Sequence, residues 1–466
     1  MLGMGNMRQW LMNISLVGGW FPAAAFAVIA VLSVTLLVSA AVSKRDGRIL
    51  ATVLPIGVAA VSGMVGYVVA WLLSDVFVVF GVGLGSRVMS WVAAGFAIAG
   101  FAIVHIVLSR GMMRVAAAIL TVFAILAAAI GIDQSYGEYA TIGSLFGEDS
   151  YSQADLTGLA KRKDLITVAQ WRKQAANGTI RNIPANGTVN KIDIPATKSQ
   201  FEARKALVYL PPAALADSKR KPALPVVLML SGQPGSPGRV FQAGGIQTMM
   251  DGNAKTHDGL APIVIAADQL GADSHNTLCV DSKVYGNALT YLTQDVVDWV
   301  KTNLPAAQDA KDWAIAGFSQ GATCSLQIGV NHPDLFGTMI PTDSEIKPTN
   351  GSRQEMIDRF FDGDTTAYEN QVPVNAIRNH APTHQMLIIG AGEKDTTSIR
   401  NVKTIAPVAA KAGMRVAAVE SSGNAHDWHA VQDVLRYGLA VFGHDTGLDG
   451  ANPNLSDYPN LKRITI

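Results

Sequence analysis

Charge is scarce in the first third of this chain. Of its 37 Lys and Arg and 36 Asp and Glu residues, nine fall within positions 1–132: Arg8, Lys44, Arg45, Asp46, Arg48, Asp75, Arg87, Arg110 and Arg114. That scarcity excludes an ordinary soluble domain there, whereas the remaining two thirds have a soluble composition. A basic excess is also missing: the net charge is +1, and no basic cluster with interleaved aromatics occurs, so nothing is built to neutralise a phosphate backbone. Nucleic acid is excluded as a partner on that ground. Cysteine is rare, with two in the chain, which allows at most one internal disulfide. Extensive disorder is excluded by a hydrophobic content of 49%. At 466 residues the chain is too long for one ordinary domain.

What is present at the start are long uncharged apolar runs. Crossing a bilayer takes roughly 17–25 apolar residues, and four runs qualify, at about 19–42, 49–73, 88–108 and 115–132. A buried cytoplasmic helical domain would need amphipathic helices instead of these all-round apolar ones. The first run is too long, too deep in the chain and too closely followed by others to be a cleaved leader. Residues 1–132 are therefore expected to be a transmembrane domain. His105 and Asp75 are the ionisable groups nearest to the spans, and both are expected to be interfacial. Cationic side chains are retained on the cytoplasmic face. Lys44, Arg45 and Arg48 in one loop and Arg110 and Arg114 in another, against Arg8 and Arg87 opposite, put both termini outside.

Residues 133–187 are polar and read as a juxtamembrane stalk or cover, with turn signals at Asn177-Gly178 and Asn186-Gly187. From 188 to 466, short β-branched runs alternate with helical stretches, the pattern of a largely parallel sheet with crossover helices. The expected strands are Val189–Ile194, Lys205–Tyr209, Val226–Leu230, Ile263–Ala267, Trp313–Ala316, Thr338–Ile340, Met386–Ile389 and Arg415–Val419, with helices over Leu289–Asn303 and Ala322–Asn331. Eight strands in this order fit an α/β-hydrolase sheet.

One segment carries chemistry. Trp313-Ala314-Ile315-Ala316 leads into Gly317-Phe318-Ser319-Gln320-Gly321 and then into a helix, which is G-x-S-x-G in its strand–turn–helix setting. Small neighbours are needed because the serine sits on a strained turn, and the helix N-terminus favours developing negative charge. Ser319 is the candidate nucleophile. It needs a histidine to accept its proton and a carboxylate to hold that histidine. His426 follows the last expected strand, within Ser421–Trp428, and His429 could substitute for it. His426 and His429 could instead contact a metal, but no matching third ligand is evident, so no metal and no cofactor are expected. The acid should follow Met386–Ile389, where Asp395 and Glu393 both match the turn; Asp395 is preferred, Glu393 is the alternative, and Asp343 is the third choice. An oxyanion hole needs two backbone N–H groups. Gln320 supplies one; Gln233 in Ser231-Gly232-Gln233-Pro234-Gly235 supplies the other, because Pro234 has no N–H.

At these residues the sequence resembles the α/β-hydrolase group that contains esterase D (S-formylglutathione hydrolase), enterochelin esterase-like proteins and the antigen 85 mycolyltransferases. The resemblance is carried by Leu207–Pro212, Leu289–Asp295, Gly317–Gly321, Asn331–Phe336 and His426-Asp427-Trp428, and covers about residues 200–440. With the helices in front, the chain looks like a membrane-bound actinobacterial branch. The resemblance implies a nucleophile at Ser319, a base at His426 and a hole at Gln233 and Gln320. The chain departs from the group at Ser231-Gly232-Gln233, where a His-Gly or Asp-Gly-Leu loop is frequent.

The expected protein is a membrane-anchored, extracytoplasmic serine esterase whose partners are the bilayer and a membrane lipid or acylated envelope molecule. An acyltransferase that passes the acyl group to a sugar or lipid hydroxyl uses the same triad. A non-catalytic scaffold on a hydrolase fold is the alternative outside enzymology. An exterior location permits a disulfide between Cys279 and Cys324.

Overall fold

The computed structural model describes residues 4–42, 48–77, 83–148, 151–160, 164–180 and 182–466. Two compact units result: Met1–Glu148, with which the three loop residues Ala425–Asp427 group, and Asp149–Asn424 with Trp428–Ile466.

Among the described residues, the long helices of the first unit are α1 (Trp20–Ala41), α2 (Arg48–Trp71), α3 (Gly85–Leu108) and α4 (Met112–Tyr136). All four are long and apolar enough to cross a membrane. A helix satisfies its backbone hydrogen bonds internally, which suits a chain lying in hydrocarbon. Close packing comes from small residues. A Cβ at Gly100 would lie 2.4 Å from the Ser62 Oγ, and one at Gly131 would lie 2.2 Å from the Trp91 ring. Both ends of the unit lie on one side. The Leu16 N–H donates to Ala140 O at 3.0 Å and the Ile142 N–H to Ile14 O at 2.9 Å, as an even number of passes requires. The fourth run is longer than its alanine-rich core indicates, extending to Tyr136 and ending on Gly137 in the left-handed conformation. The His105 side chain is buried, its ring centroid 4.6 Å from that of Phe101. It lies one turn from the end of α3, buried among the helices. Lys44 and Arg45, on which the orientation rests, lie outside the described residues, as does the Arg48 side chain.

The second unit is a ten-stranded, mostly parallel sheet flanked by helices, the α/β-hydrolase arrangement. Its strands are β1 (Ser152–Gln153), β2 (Thr188–Ile192), β3 (Ala206–Leu210), β4 (Val226–Leu230), β5 (Ile263–Ala266), β6 (Trp313–Phe318), β7 (Thr338–Thr342), β8 (Met386–Gly392), β9 (Arg415–Ser421) and β10 (Leu461–Arg463). Their order is β1-β2-β3-β5-β4-β6-β7-β8-β9-β10. From β5 to β9 all neighbours are parallel. Strands β4 and β6 are buried along their whole length, as near-continuous apolar runs covered on both faces must be. All eight expected strands form. The two extra ones are edge strands of two and three residues, too short to show alternation.

The segment expected as a stalk divides. Residues 133–148 belong to the helical unit, whereas those from 152 onward are built into the sheet unit through β1, which pairs with β2. Helix α5 (Val168–Ala176) buries Trp171 completely, and the indole Nε1–H donates to Asp258 O at 3.1 Å. Burying that ring costs the segment its freedom to act as a spacer. The helix expected over Leu289–Asn303 also differs, with a π turn at Tyr291–Asp295 preceding α6 (Val296–Asn303). The Asp295 carboxylate there accepts from the Lys198 and Ser199 N–H groups at 2.9 and 3.0 Å.

The chain leaves β4 toward β5 on one side and returns as β6 on the other, so the sheet switches direction between β4 and β6. Crevices at the carboxyl ends of strands flanking such a switch are where α/β sheets place their ligands.

Candidate active site

Strand β6 ends at Phe318, and helix α7 (Gln320–Asn331) begins two residues later. Ser319 joins them with φ 55° and ψ −117°, a left-handed backbone that costs a non-glycine residue about 1–3 kcal/mol. The turn is held by the Ser319 N–H, which donates to Thr342 O at 3.0 Å, and by Ser319 O, which accepts from the Thr323 N–H at 3.0 Å. The flanking glycines are sterically required. A Cβ on Gly317 would lie 2.2 Å from Gly321 O, and a Cβ on Gly321 would lie 2.2 Å from Ser231 O. Ser319 is half-buried, at the positive end of a twelve-residue helix.

The same close approach brings the loop after β4 against the nucleophile turn. A Cβ on Gly232 would be 3.5 Å from the Ser319 Cβ. Gln320 is the first helical residue, so its N–H has no partner within the helix. Gln233 and Gln320 thus lie on the two backbone segments that flank Ser319.

Asp343 directly follows β7, has φ 55° and is 1% exposed; its Oδ1 accepts from the Gly392 N–H at 2.9 Å. Strand β8 runs into the turn Gly392–Asp395. The Asp395 Oδ1 caps helix α8 (Thr396–Lys411), accepting from the Thr397 and Ser398 N–H groups at 3.2 and 3.0 Å. Strand β9 runs into the loop Ser421–Asp427, which leads to helix α9 (Trp428–Asp445). A ring nitrogen of His426 and one carboxylate oxygen each of Asp343 and Asp395 lie within 4.8 Å of one another. These three side chains would also be the ones to offer ligands to a cation. His429 lies in the first turn of α9 and is absent from this group.

Glu393 has a different setting. Its carboxylate pairs with the Lys462 Nζ at 2.9 Å and accepts from the Gly423 N–H at 2.7 Å. The Lys462 hydrogen bond, followed by that from Gly423, holds its pKa below the ordinary value. Two backbone bonds lie beside it: the Glu393 N–H donates to Ser421 O at 2.9 Å, and the Lys394 N–H to Asn424 O at 2.8 Å. Farther along, Asp433 of α9 accepts from the Ser421 Oγ at 2.6 Å and from the Asn424 Nδ2 at 3.2 Å. The acid turn and the histidine loop are therefore laced together.

Cys279 and Cys324 form a disulfide. It joins the loop after β5 to helix α7, which Ser319 precedes. That loop also carries two residues that no sequence motif marks. Asp268 and Gln269 are completely buried there, and Asp268 accepts from the Arg204 Nε and Nη2 at 3.0 and 2.8 Å. A signal existed in the polar pair Asp268-Gln269 directly after an apolar strand. Its connection to Arg204 needs the antiparallel register of β3 and β5, in which Leu207 faces Ala266.

The candidate residues all follow the carboxyl ends of β4, β6, β7, β8 and β9, and a family match covers this stretch of chain. The Esterase family matches residues 198–438. An uncharacterized protein of Corynebacterium glutamicum is 32% identical over 333 residues, which is 70% of this chain and 74% of that one. Among solved structures, the S-formylglutathione hydrolase of Agrobacterium tumefaciens is 16% identical, covering 57% of this chain and 98% of its own, with a TM-score of 0.46. MPT51 of Mycobacterium tuberculosis is 14% identical, covering 55% of this chain and 98% of its own, with a TM-score of 0.40. The family match spans more than half of the chain and contains every candidate residue from Gln233 to His426: this protein belongs to the Esterase family.

Proposed function

We propose that the protein is a membrane-anchored serine esterase that cleaves an acyl ester of a lipid or lipid-linked envelope molecule. The observation that carries this reading is Ser319 itself, held at φ 55° on a turn that its two glycines alone permit, in a member of the Esterase family. Ser319 Oγ attacks the ester carbonyl while His426 accepts its proton. Asp395 holds the imidazole in the required tautomer and stabilises the cation that forms. The N–H groups of Gln233 and Gln320 receive the carbonyl oxygen as it becomes an oxyanion. Collapse expels the alcohol, protonated by His426, and leaves an acyl-enzyme. Water, activated by His426, then releases the carboxylic acid and restores Ser319.

The preference for a lipid ester rests on the four apolar helices. Tethering a catalytic unit to a bilayer raises the effective concentration of a substrate dissolved in that bilayer. Extracytoplasmic placement rests on the Lys and Arg bias of the short loops.

The test uses the full chain in detergent micelles. Release of p-nitrophenol from acyl esters of short and long chain is followed for the parent and Ser319→Ala, and the fate of the acyl group is followed with a phospholipid ester, with and without a sugar or lipid alcohol. Ser319-dependent release of free acid supports the esterase. Acyl transfer to the added alcohol at the expense of free acid replaces hydrolysis by transfer. A folded parent that turns over none of these substrates overturns the reading.

A further inference from the structure

We propose that Gln269 and Arg204 are positioning residues that hold the oxyanion loop against the nucleophile turn; the inference rests on the serine-esterase reading above. The two donors of the hole belong to different segments. Gln233 lies on the five-residue loop Ser231–Gly235 after β4, and Gln320 opens helix α7. A hole of this kind stabilises the transition state only if both N–H groups are fixed before the reaction, because reorganisation during the reaction would consume the gain. The parallel pairing of β4 with β6, in which Leu230 faces Gly317, fixes where the two segments start but not the course of the oxyanion loop beyond Ser231.

The loop after β5 fixes that course at several points. The completely buried Gln269 amide donates to Ser231 O at 2.6 Å and lies 3.2 Å from the Gln320 Oε1, bridging the start of the oxyanion loop and the residue after the nucleophile. At the far end of the loop, the Arg204 Nη2 donates to Gly235 O at 2.9 Å while the same guanidinium is held in a fork by Asp268. A planar, bidentate arginine fixes direction as well as distance. Asp268 is fully buried and also accepts from the Leu270 and Gly271 N–H groups, both at 3.1 Å. The fork therefore stands on a rigid base. Further along, the Gln233 side-chain amide donates to Ser274 O at 3.2 Å, the Gln320 amide donates to the Asn276 Oδ1 at 3.3 Å, and Cys279 is bonded to Cys324. Thus residues 268–279 act as a strap across both donor segments. Gln269 clamps the first residue of the oxyanion loop and Arg204 the last.

Neither residue is offered as touching the substrate. Each acts through the backbone carbonyl of a residue two positions from Gln233. The signature is a loss in kcat with little change in KM, because a displaced donor weakens the transition state more than the ground state.

The experiment compares Gln269→Met with Gln385→Met in the full chain. Gln385 is a matched control: it is buried and its amide donates to Gly329 O and Phe336 O, both at 2.7 Å, next to the amino end of β8. The measurements are kcat and KM on a p-nitrophenyl ester, affinity for a trifluoromethyl ketone that mimics the tetrahedral adduct, and the thermal midpoint. For Gln269→Met, kcat should fall by about ten- to a hundredfold, short of the loss on deleting a donor outright. Ketone affinity should fall in parallel, with KM within about twofold of the parent. Gln385→Met should lower the thermal midpoint and leave kcat unchanged. Arg204→Lys, which keeps a charge beside Asp268 but loses the fork, should also lower kcat selectively, and it decides the matter if Gln269→Met does not fold. Parental kcat and ketone affinity in a folded variant overturn the proposal, as does failure of both variants to fold. An inactive parent, by contrast, removes the esterase reading itself.

Discussion

The Glu393 carboxylate accepts a hydrogen bond from the Gly423 N–H at 2.7 Å and thereby ties the turn that carries Asp395 to the loop that carries His426. Geometry thus gives Glu393 a part different from that of a triad acid. It is engaged by Lys462 on one oxygen and by a backbone N–H on the other. Asp343 and Asp395 each place a carboxylate oxygen within 4.8 Å of a His426 ring nitrogen.

Glu393→Gln should weaken this tie without abolishing turnover. Lys462 and Gly423 hold the Glu393 pKa below its ordinary value. For a depressed carboxylate, the stability contribution is present above the unfolded pKa and is lost as pH falls through the folded one. The thermal midpoint of the parent should therefore decline more steeply on acidification than that of Glu393→Gln, most visibly below about pH 4.5. Midpoints recorded from about pH 3 to 7 check this; parallel curves would show that the ion pair contributes nothing.

Two carboxylates lie near His426, and their roles should separate on substitution. Asp395→Asn should cost about a thousandfold or more in kcat, as loss of a triad acid does through the wrong tautomer. Asp343→Asn should cost less, with Asp395 as the acid that holds the imidazole; the Oδ1 of each already accepts backbone N–H groups, so substitution and not capping separates the two. Steady-state kinetics on one chromogenic ester, repeated with EDTA to remove any bound cation, checks both. A larger loss for Asp343→Asn would move the acid to the end of β7, and a loss with EDTA would assign the group to a metal.

The disulfide spans 45 residues of chain, a loop whose closure stabilises the folded state by about 4 kcal/mol in the chain-entropy account. Replacing both Cys279 and Cys324 by Ala should lower denaturant stability of the sheet unit by an amount of that order. Urea unfolding followed by tryptophan fluorescence, which Trp313 and Trp428 within the core report, checks it.

Orientation is open to a labelling experiment. Both native cysteines are bonded to each other, so an introduced thiol stands alone. Ser456→Cys, at an exposed site in the sheet unit, should react with an impermeant maleimide on intact cells, and Ser109→Cys, between α3 and α4, should react only after lysis. The reverse pattern would place the sheet unit in the cytoplasm.

The features legible in the sequence were those written locally. Ser319 could be read because strand, glycines and helix are contiguous, and the strands because β-branched runs repeat. The spans could be read because charge is missing. What escaped needed the third dimension. Strand β1 is two residues long and exists by pairing with β2. Within the segment read as a stalk or cover, 133–187, the attachment of Trp171 is illegible in sequence because it depends on a carbonyl 87 residues away. Asp343, Glu393 and Asp395 all follow strands and differ only in what surrounds them. Arg204 and Gln269 have no motif; their roles depend on the register of β3 with β5 and on the crossing between β4 and β6.

The account stands on Ser319 being an activated nucleophile. Membranes containing the parent protein or Ser319→Ala are treated with a fluorescent fluorophosphonate, and the labelled band is followed together with release of p-nitrophenol from an acyl ester. The account predicts one labelled band for the parent, none for Ser319→Ala, and loss of turnover in step with labelling. Folded parent protein that takes up no label and releases no p-nitrophenol would contradict it and leave a hydrolase fold used for binding.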